Sequence, residues 1–177
     1  MSNKNPWEEF PHIWASKAKF ITFVRGLIRK GWSTYPVKTE FNKAKRVRKV
    51  NPKTGKMCYG HHCALCGEFF SQSDIEQDHL SGHNKFTDLS DAESYMKALF
   101  YINFEDLQPV CKPCHKIKNY AERMGITFEE SRIEKQLIAI CKDIKKCNKL
   151  LASHNLPCNN AKVRKEGVRK LLEERKI

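Results

Sequence analysis

The sequence contains no run of about 18 consecutive apolar residues, the length a helix needs to cross a bilayer, so no membrane span is expected. No apolar stretch follows the opening Met1-Ser2-Asn3-Lys4-Asn5-Pro6-Trp7-Glu8-Glu9, so no secretory signal peptide is expected either. Internal repeats and low-complexity tracts are absent, which excludes solenoid and linker architectures. Hydrophobic residues make up 40% of the 177, enough for a modest core and lean for a large one, so a metal staple would compensate. Acidic residues are scarce where bases abound. Residues 1–57 hold 14 Lys/Arg and 3 Asp/Glu.

The remaining charge is unevenly spread. Net charge is +13 overall, +11 for residues 1–57, −4 for 58–120 and +6 for 121–177. An acidic middle between basic flanks suits flanks that hold phosphates and a middle that holds cations. The alternative is a set of solvated lysine faces.

Apolar residues recur near a 3.6-residue period from His12 to Trp32 (Ile13, Trp14, Phe20, Ile21, Val24, Leu27, Ile28), which predicts one helix ending at Gly31. Tyr35-Pro36 turns the chain into a second helix with Val37, Phe41 and Ala44 on its apolar side, carrying Lys45, Arg46, Arg48 and Lys49. Asn51 to Gly55 reads as a turn, residues 57–76 as a β-hairpin, His83 to Ser94 as loop, and Ala92 to Tyr101 as a short helix. A further helix begins at Cys114. Thr127 and Glu130 form a capping box. The helix they open carries Ile133, Leu137, Ile140, Ile144, Cys147 and Leu151 in heptad steps. That seam is expected to pack on the N-terminal helix, with coiled-coil self-association as the alternative. A last helix runs from about Ala161 to Arg175.

The cysteines sharpen the reading. Cys63-Ala64-Leu65-Cys66 and Cys111-Lys112-Pro113-Cys114 are two Cys-x-x-Cys pairs separated by 44 residues. Each pair puts two thiolates on one tight turn, and four soft donors suit structural Zn²⁺. With no secretory signal, thiols are expected to stay reduced in a cytoplasmic setting and to bind metal rather than pair. An insert of this length implies that something functional lies between the pairs. Cys141 and Cys147 read as buried apolar residues; Cys58 and Cys158 carry no assignment.

Between and beside the pairs stand Gln77-Asp78-His79 and Leu107-Gln108-Pro109-Val110-Cys111-Lys112-Pro113-Cys114-His115. Together these resemble the HNH endonuclease family, in its subgroup with a four-cysteine zinc site. The segment Val24-Arg25-Gly26-Leu27-Ile28-Arg29-Lys30-Gly31-Trp32 through Tyr35-Pro36 is similar to the basic stretch that precedes the zinc core in HNH nucleases of tailed phages. The resemblance covers roughly residues 7–123. It implies an α+β, mainly helical chain with a zinc-stapled ββα-metal core (57–123), a basic helical DNA-clamping segment (1–56) and a C-terminal helical segment (124–177). If the chain is phage-encoded, its setting is the bacterial host cytoplasm.

By the same resemblance His79 is the general base, Asp78 and His115 hold a catalytic divalent ion, and Cys63, Cys66, Cys111 and Cys114 hold structural Zn²⁺. The position usually filled by asparagine before a leucine is Asp106, preceding Leu107; Asn103 lies three residues earlier. An aspartate can orient His79 by accepting from a ring N–H. Leu80-Ser81-Gly82 also departs from the family's loop. The mixed oxygen and nitrogen ligands suit Mg²⁺, Mn²⁺ or another divalent transition metal. Adjacent strand residues point to opposite faces, so Asp78 and His79 share one site only where the chain bends. A structural role is expected for His12, His83 and His154.

Arg25, Arg29, Lys30, Lys45, Arg46, Arg48 and Lys49 are the candidate phosphate contacts. They imply duplex DNA as partner with little sequence preference. The function expected is metal-dependent cutting or nicking of DNA. The alternatives are a DNA-binding module without catalysis and an accessory subunit of a phage packaging complex, which would dock, or form a homodimer, through the C-terminal heptad helix.

Overall fold

The computed structural model describes residues 4–82 and 85–175; His83 lies outside them. The chain is mainly helical with two small sheets. It folds as two compact units, one ending at Lys112 and the other beginning at Pro113.

The N-terminal unit opens with two single-turn helices, α1 (Pro6–Glu9) and α2 (Pro11–Trp14), each with proline at its start, where a missing N–H costs nothing. The single helix expected from His12 is broken. Ala15 is left-handed (φ 49°), and Ser16 caps a new helix, α3 (Lys17–Ser33), accepting from the Lys19 N–H at 3.3 Å. Ile13 and Trp14 fit the period, but the cap decides where the helix starts. α3 also runs through Gly31 to Ser33. Pro36 then opens α4 (Pro36–Lys45).

The second helix was expected to continue to Lys49. It ends at Lys45, with Arg46 in extended conformation as its cap, and Val47–Val50 forms strand β1. β1 pairs antiparallel with β2 (Met57–His62), and β2 with β3 (Phe69–Ser71). Gly55 (φ 69°) closes the β1–β2 turn. Gly60 is required in β2, since a Cβ there would collide with the Phe70 carbonyl and the Phe69 ring. The expected segment boundary at residue 56 therefore falls inside a hairpin.

β4 (Ile75–His79) and β5 (Leu107–Cys111) make a separate antiparallel ribbon, with His79 opposite Leu107 and Ile75 opposite Cys111. The chain between them carries α5 (Ala92–Phe100). α5 packs on α3 through Ile21, Phe86, Tyr95 and Leu99, with Val24, Ile28 and Trp32 at the margin. A Lys17–Asp88 ion pair tethers the start of α3 to the turn before α5.

α6 (Lys112–Met124) begins directly after β5. In the C-terminal unit, α7 (Phe128–Lys142), α8 (Ile144–Ser153) and α9 (Ala161–Glu173) form a three-helix core. The Thr127 capping box is present: Thr127 Oγ1 accepts from Glu130 N–H at 3.2 Å, and Glu130 Oε2 from Thr127 N–H at 2.8 Å. The expected heptad helix is interrupted. Asp143 leaves helical geometry and caps α8, accepting from Lys146 N–H at 3.1 Å. Leu137, Cys147 and Leu151 close on Val168, Leu171 and Leu172 of α9. The seam thus finds its partner in the last helix, and Ile144 is 55% exposed.

Candidate metal centre and active site

Cys63 and Cys66 occupy a tight knuckle after β2. Cys63 N–H donates to the Glu68 carbonyl (2.9 Å), Gly67 N–H to the Cys63 carbonyl (2.8 Å), and Gly67 is left-handed (φ 77°). The knuckle is pinned to β5 by Ala64 N–H donating to the Pro109 carbonyl at 2.8 Å. Cys111 ends β5 and Cys114 lies in the first turn of α6.

The four sulfurs of Cys63, Cys66, Cys111 and Cys114 all lie within 4.8 Å of one another, and all but Cys66 are buried. A tetrahedral ion with bonds of about 2.3 Å needs sulfurs about 3.8 Å apart, so the set fits a metal ion such as zinc with small adjustments. None of the eight cysteines is in a disulfide. Burial pushes the Cys63 thiol up, but N–H donors of Cys111, Cys66 and Leu65 and the Cys66 side chain outweigh it, bringing the thiol down to about 7. Cys111 N–H reaches Cys63 Sγ at 3.3 Å. Such donors stabilise the thiolate that a metal requires.

The contrast with the C-terminal cysteines is informative. Cys147 is fully buried with Cys141 Sγ at 3.8 Å, and burial, then the neighbouring thiol, push Cys147 up to about 11. Cys147 is a buried core residue, as expected; Cys141 is half-buried and packs against that core.

Asp78 and His79 end β4. Along that strand Ile75, Gln77 and His79 are buried, while Glu76 and Asp78 are half-buried. Pairing runs unbroken through His79, and the chain bends only from Leu80, so the two side chains leave the ribbon on opposite faces. The bend that would bring them to one face of the strand does not occur at Asp78–His79.

The imidazole of His79 is 4% exposed. Its Nε2 lies 3.1 Å from the Leu99 carbonyl oxygen, which can only accept. Nε2 therefore carries a hydrogen. The Trp32 ring lies 4.4 Å from the His79 ring, tilted by 36°. Lys38 Nζ sits 5.2 Å from the Trp32 ring; burial lowers its pKa, and Glu76 partly offsets this. Neither Trp32 nor the Leu99 carbonyl is readable as a partner of His79 in the sequence. A main-chain carbonyl leaves no residue-type signal, and Trp32 looks like the end of an amphipathic helix.

Asp106 was read as the residue that orients His79. Its carboxylate accepts the Asn103 N–H at 2.9 Å, closing a capping box with Asn103, whose side chain accepts from Glu105 N–H at 2.9 Å. The Asp106 carbonyl accepts from Leu80 N–H at 2.9 Å, fastening the residue after His79. His115 follows Cys114 in the first turn of α6 and is half-buried. His12 and His154 are exposed.

Arg25, Arg29 and Lys30 are exposed on α3, as are Lys45 and Arg46 at the end of α4. Arg48 and Lys49, expected on a helix, project from strand β1. Arg46 lies over the Tyr59 ring at 4.3 Å. Among the described residues no helix is long and apolar enough to cross a membrane. Comparison with family models, curated proteins and solved structures finds no match to this chain.

Proposed function

We propose that this protein is a metal-dependent DNA endonuclease or nickase of HNH type, with His79 as general base. The observation that carries the reading is the hydrogen bond from His79 Nε2 to the Leu99 carbonyl. It fixes the orientation of a buried imidazole on the strand that the resemblance assigns to the general base. The ribbon bearing His79 leads through two cysteines of the four-sulfur cluster into α6, the β-β-α order that the sequence resemblance implies.

In this reading His79 removes a proton from water, the oxygen bonds to phosphorus, and the bond to the 3′ oxygen breaks. Asp78 and His115 would hold a divalent ion, Mg²⁺, Mn²⁺ or another transition metal, which when bound neutralises charge at the phosphate and the leaving oxygen. Zn²⁺ on Cys63, Cys66, Cys111 and Cys114 has a folding role only. Arg25, Arg29 and Lys30 contribute phosphate contacts from α3.

The test is conversion of supercoiled plasmid to nicked or linear forms with Mg²⁺, Mn²⁺ or Ni²⁺, abolished by EDTA and by His79→Ala. A second reading, a zinc-stapled DNA-binding module without catalysis, draws on two observations. The Asp106 carboxylate is engaged in its own turn, and Asp78 leaves the ribbon on the face opposite His79. Binding of duplex without nicking by any divalent metal would favour it.

A further inference from the structure

We infer that the β1–β2 ribbon is an arm that enters a groove of duplex DNA. The inference rests on the DNA-binding half of the proposed function and not on cleavage.

The ribbon starts from an unusual composition. Residues 45–67 contain six cations, Lys45, Arg46, Arg48, Lys49, Lys53 and Lys56, and no acid. Every residue of β1 is exposed, so both faces of this edge strand meet solvent. Register places Arg48 opposite Tyr59 and Val50 opposite Met57 on one face. On that face Val50 is 55%, Met57 53% and Tyr59 49% exposed, and Arg46 covers the Tyr59 ring. On the other face Lys49 Nζ donates to His62 Nε2 at 2.9 Å. The His62 ring accepts there because its Nδ1–H donates to the Gly67 carbonyl at 2.9 Å.

This is an apolar cross-strand pair near the ribbon's tip, bordered by arginine and lysine. Charge decides the occupant. A second copy would bring the same cations against these, which is how natural edge strands resist pairing. A polyanion meets them favourably. The major groove of B-form DNA admits a two-stranded ribbon, with phosphates at its walls for the cations and base methyl groups at its floor for apolar side chains. A-form RNA has a major groove too narrow for this. Lys53 is paired to Asp74 at 2.9 Å, so Arg46, Arg48, Lys49 and Lys56 are the contacts assigned.

The two kinds of side chain separate in experiment. Anisotropy of a labelled 25-base-pair DNA duplex is titrated with the full zinc-loaded protein, without added divalent metal, across a salt series. Arg48→Ala with Lys49→Ala should reduce the slope of log affinity against log salt by about 1.8, two phosphate contacts at about 0.9 each. Arg48→Lys with Lys49→Arg should keep the slope. Val50→Thr with Met57→Thr, which preserves strand propensity, should weaken binding at least about threefold at unchanged slope. Duplex RNA of the same sequence should bind at least about tenfold more weakly than DNA. Zinc content and circular dichroism establish that each variant is folded. Folded variants that all bind within about twofold of the parent, with parent-level plasmid nicking, would overturn the ribbon while leaving the nuclease reading intact. Equal affinity for duplex RNA would overturn groove entry. Failure of the parent protein to bind any duplex would overturn both the ribbon and the DNA reading.

Discussion

Trp32 and His79 stack with ring centroids 4.4 Å apart, which joins the end of the basic helix α3 to the residue proposed as general base. The indole covers one face of an imidazole whose Nε2 is already committed to the Leu99 carbonyl. Two contacts of different kinds thus fix ring orientation. Trp32→Phe retains an aromatic cover and should keep nicking within about threefold. Trp32→Ala removes it and should slow nicking by about tenfold or more while costing about 0.5–1.5 kcal/mol of stability beyond lost burial. His79→Ala should lower the rate by at least about 10²-fold with little change in zinc content. Nicking rates and urea denaturation check the three variants together. A Trp32→Ala protein that is destabilised yet nicks normally would make the stack purely structural.

Purified protein should carry close to one zinc equivalent, measured by elemental analysis. The three buried thiols and exposed Cys66 make chelation progressive, and loss of metal should lead to unfolding of the knuckle and the end of β5, seen by circular dichroism. Cys111→Ser should be more damaging than Cys66→Ser, because Cys111 is buried in β5 and its N–H also reaches Cys63 Sγ. Undiminished thermal stability after full metal removal would show that the cluster is not a staple.

What the sequence discloses and what it hides divides along physical lines. The four cysteines are legible because metal chemistry restricts residue type and spacing. The Thr127–Glu130 box is legible because a cap is a local bond between residues three apart. Element ends were misplaced where a single residue overrides a good periodicity. Ala15 breaks the run through Ile13 and Trp14, and Asp143 breaks the heptad run between Ile140 and Ile144. β1 was hidden because Val47-Arg48-Lys49-Val50 is exposed on both faces, so burial imposed no alternation for the eye to find. The surroundings of His79 were hidden because they come from far along the chain and, at Leu99, from the backbone.

The Asp106 carboxylate is held within its own turn. As the far member of a capping box its carboxylate supports the turn that leads into β5. Asp106→Asn can still accept the Asn103 N–H, so nicking should stay within about an order of magnitude. Asp106→Ala removes the cap and should cost about 1 kcal/mol, lowering activity only as far as the loop after His79 loosens. Hydrogen exchange at Leu80 N–H, which donates to the Asp106 carbonyl, reports that loosening. A far greater activity loss in Asp106→Ala, without faster exchange, would return Asp106 to a direct catalytic part.

The basic face of α3 gives the last expectation. Arg25, Arg29 and Lys30 are exposed, and Arg25 and Arg29 are four apart on one side of the helix, where neighbouring turns align. Their charges oppose none within α3, which contains no acid. Replacing the three with alanine should flatten the salt dependence of duplex affinity by about 2.7, three contacts at about 0.9 each, and should weaken unrelated sequences equally, because phosphate contacts carry no base information. Stability should be nearly unchanged, since none of the three side chains is buried. An unaltered slope would assign these residues to a solvated face and leave the arginines and lysines of α4 and β1 as the clamp.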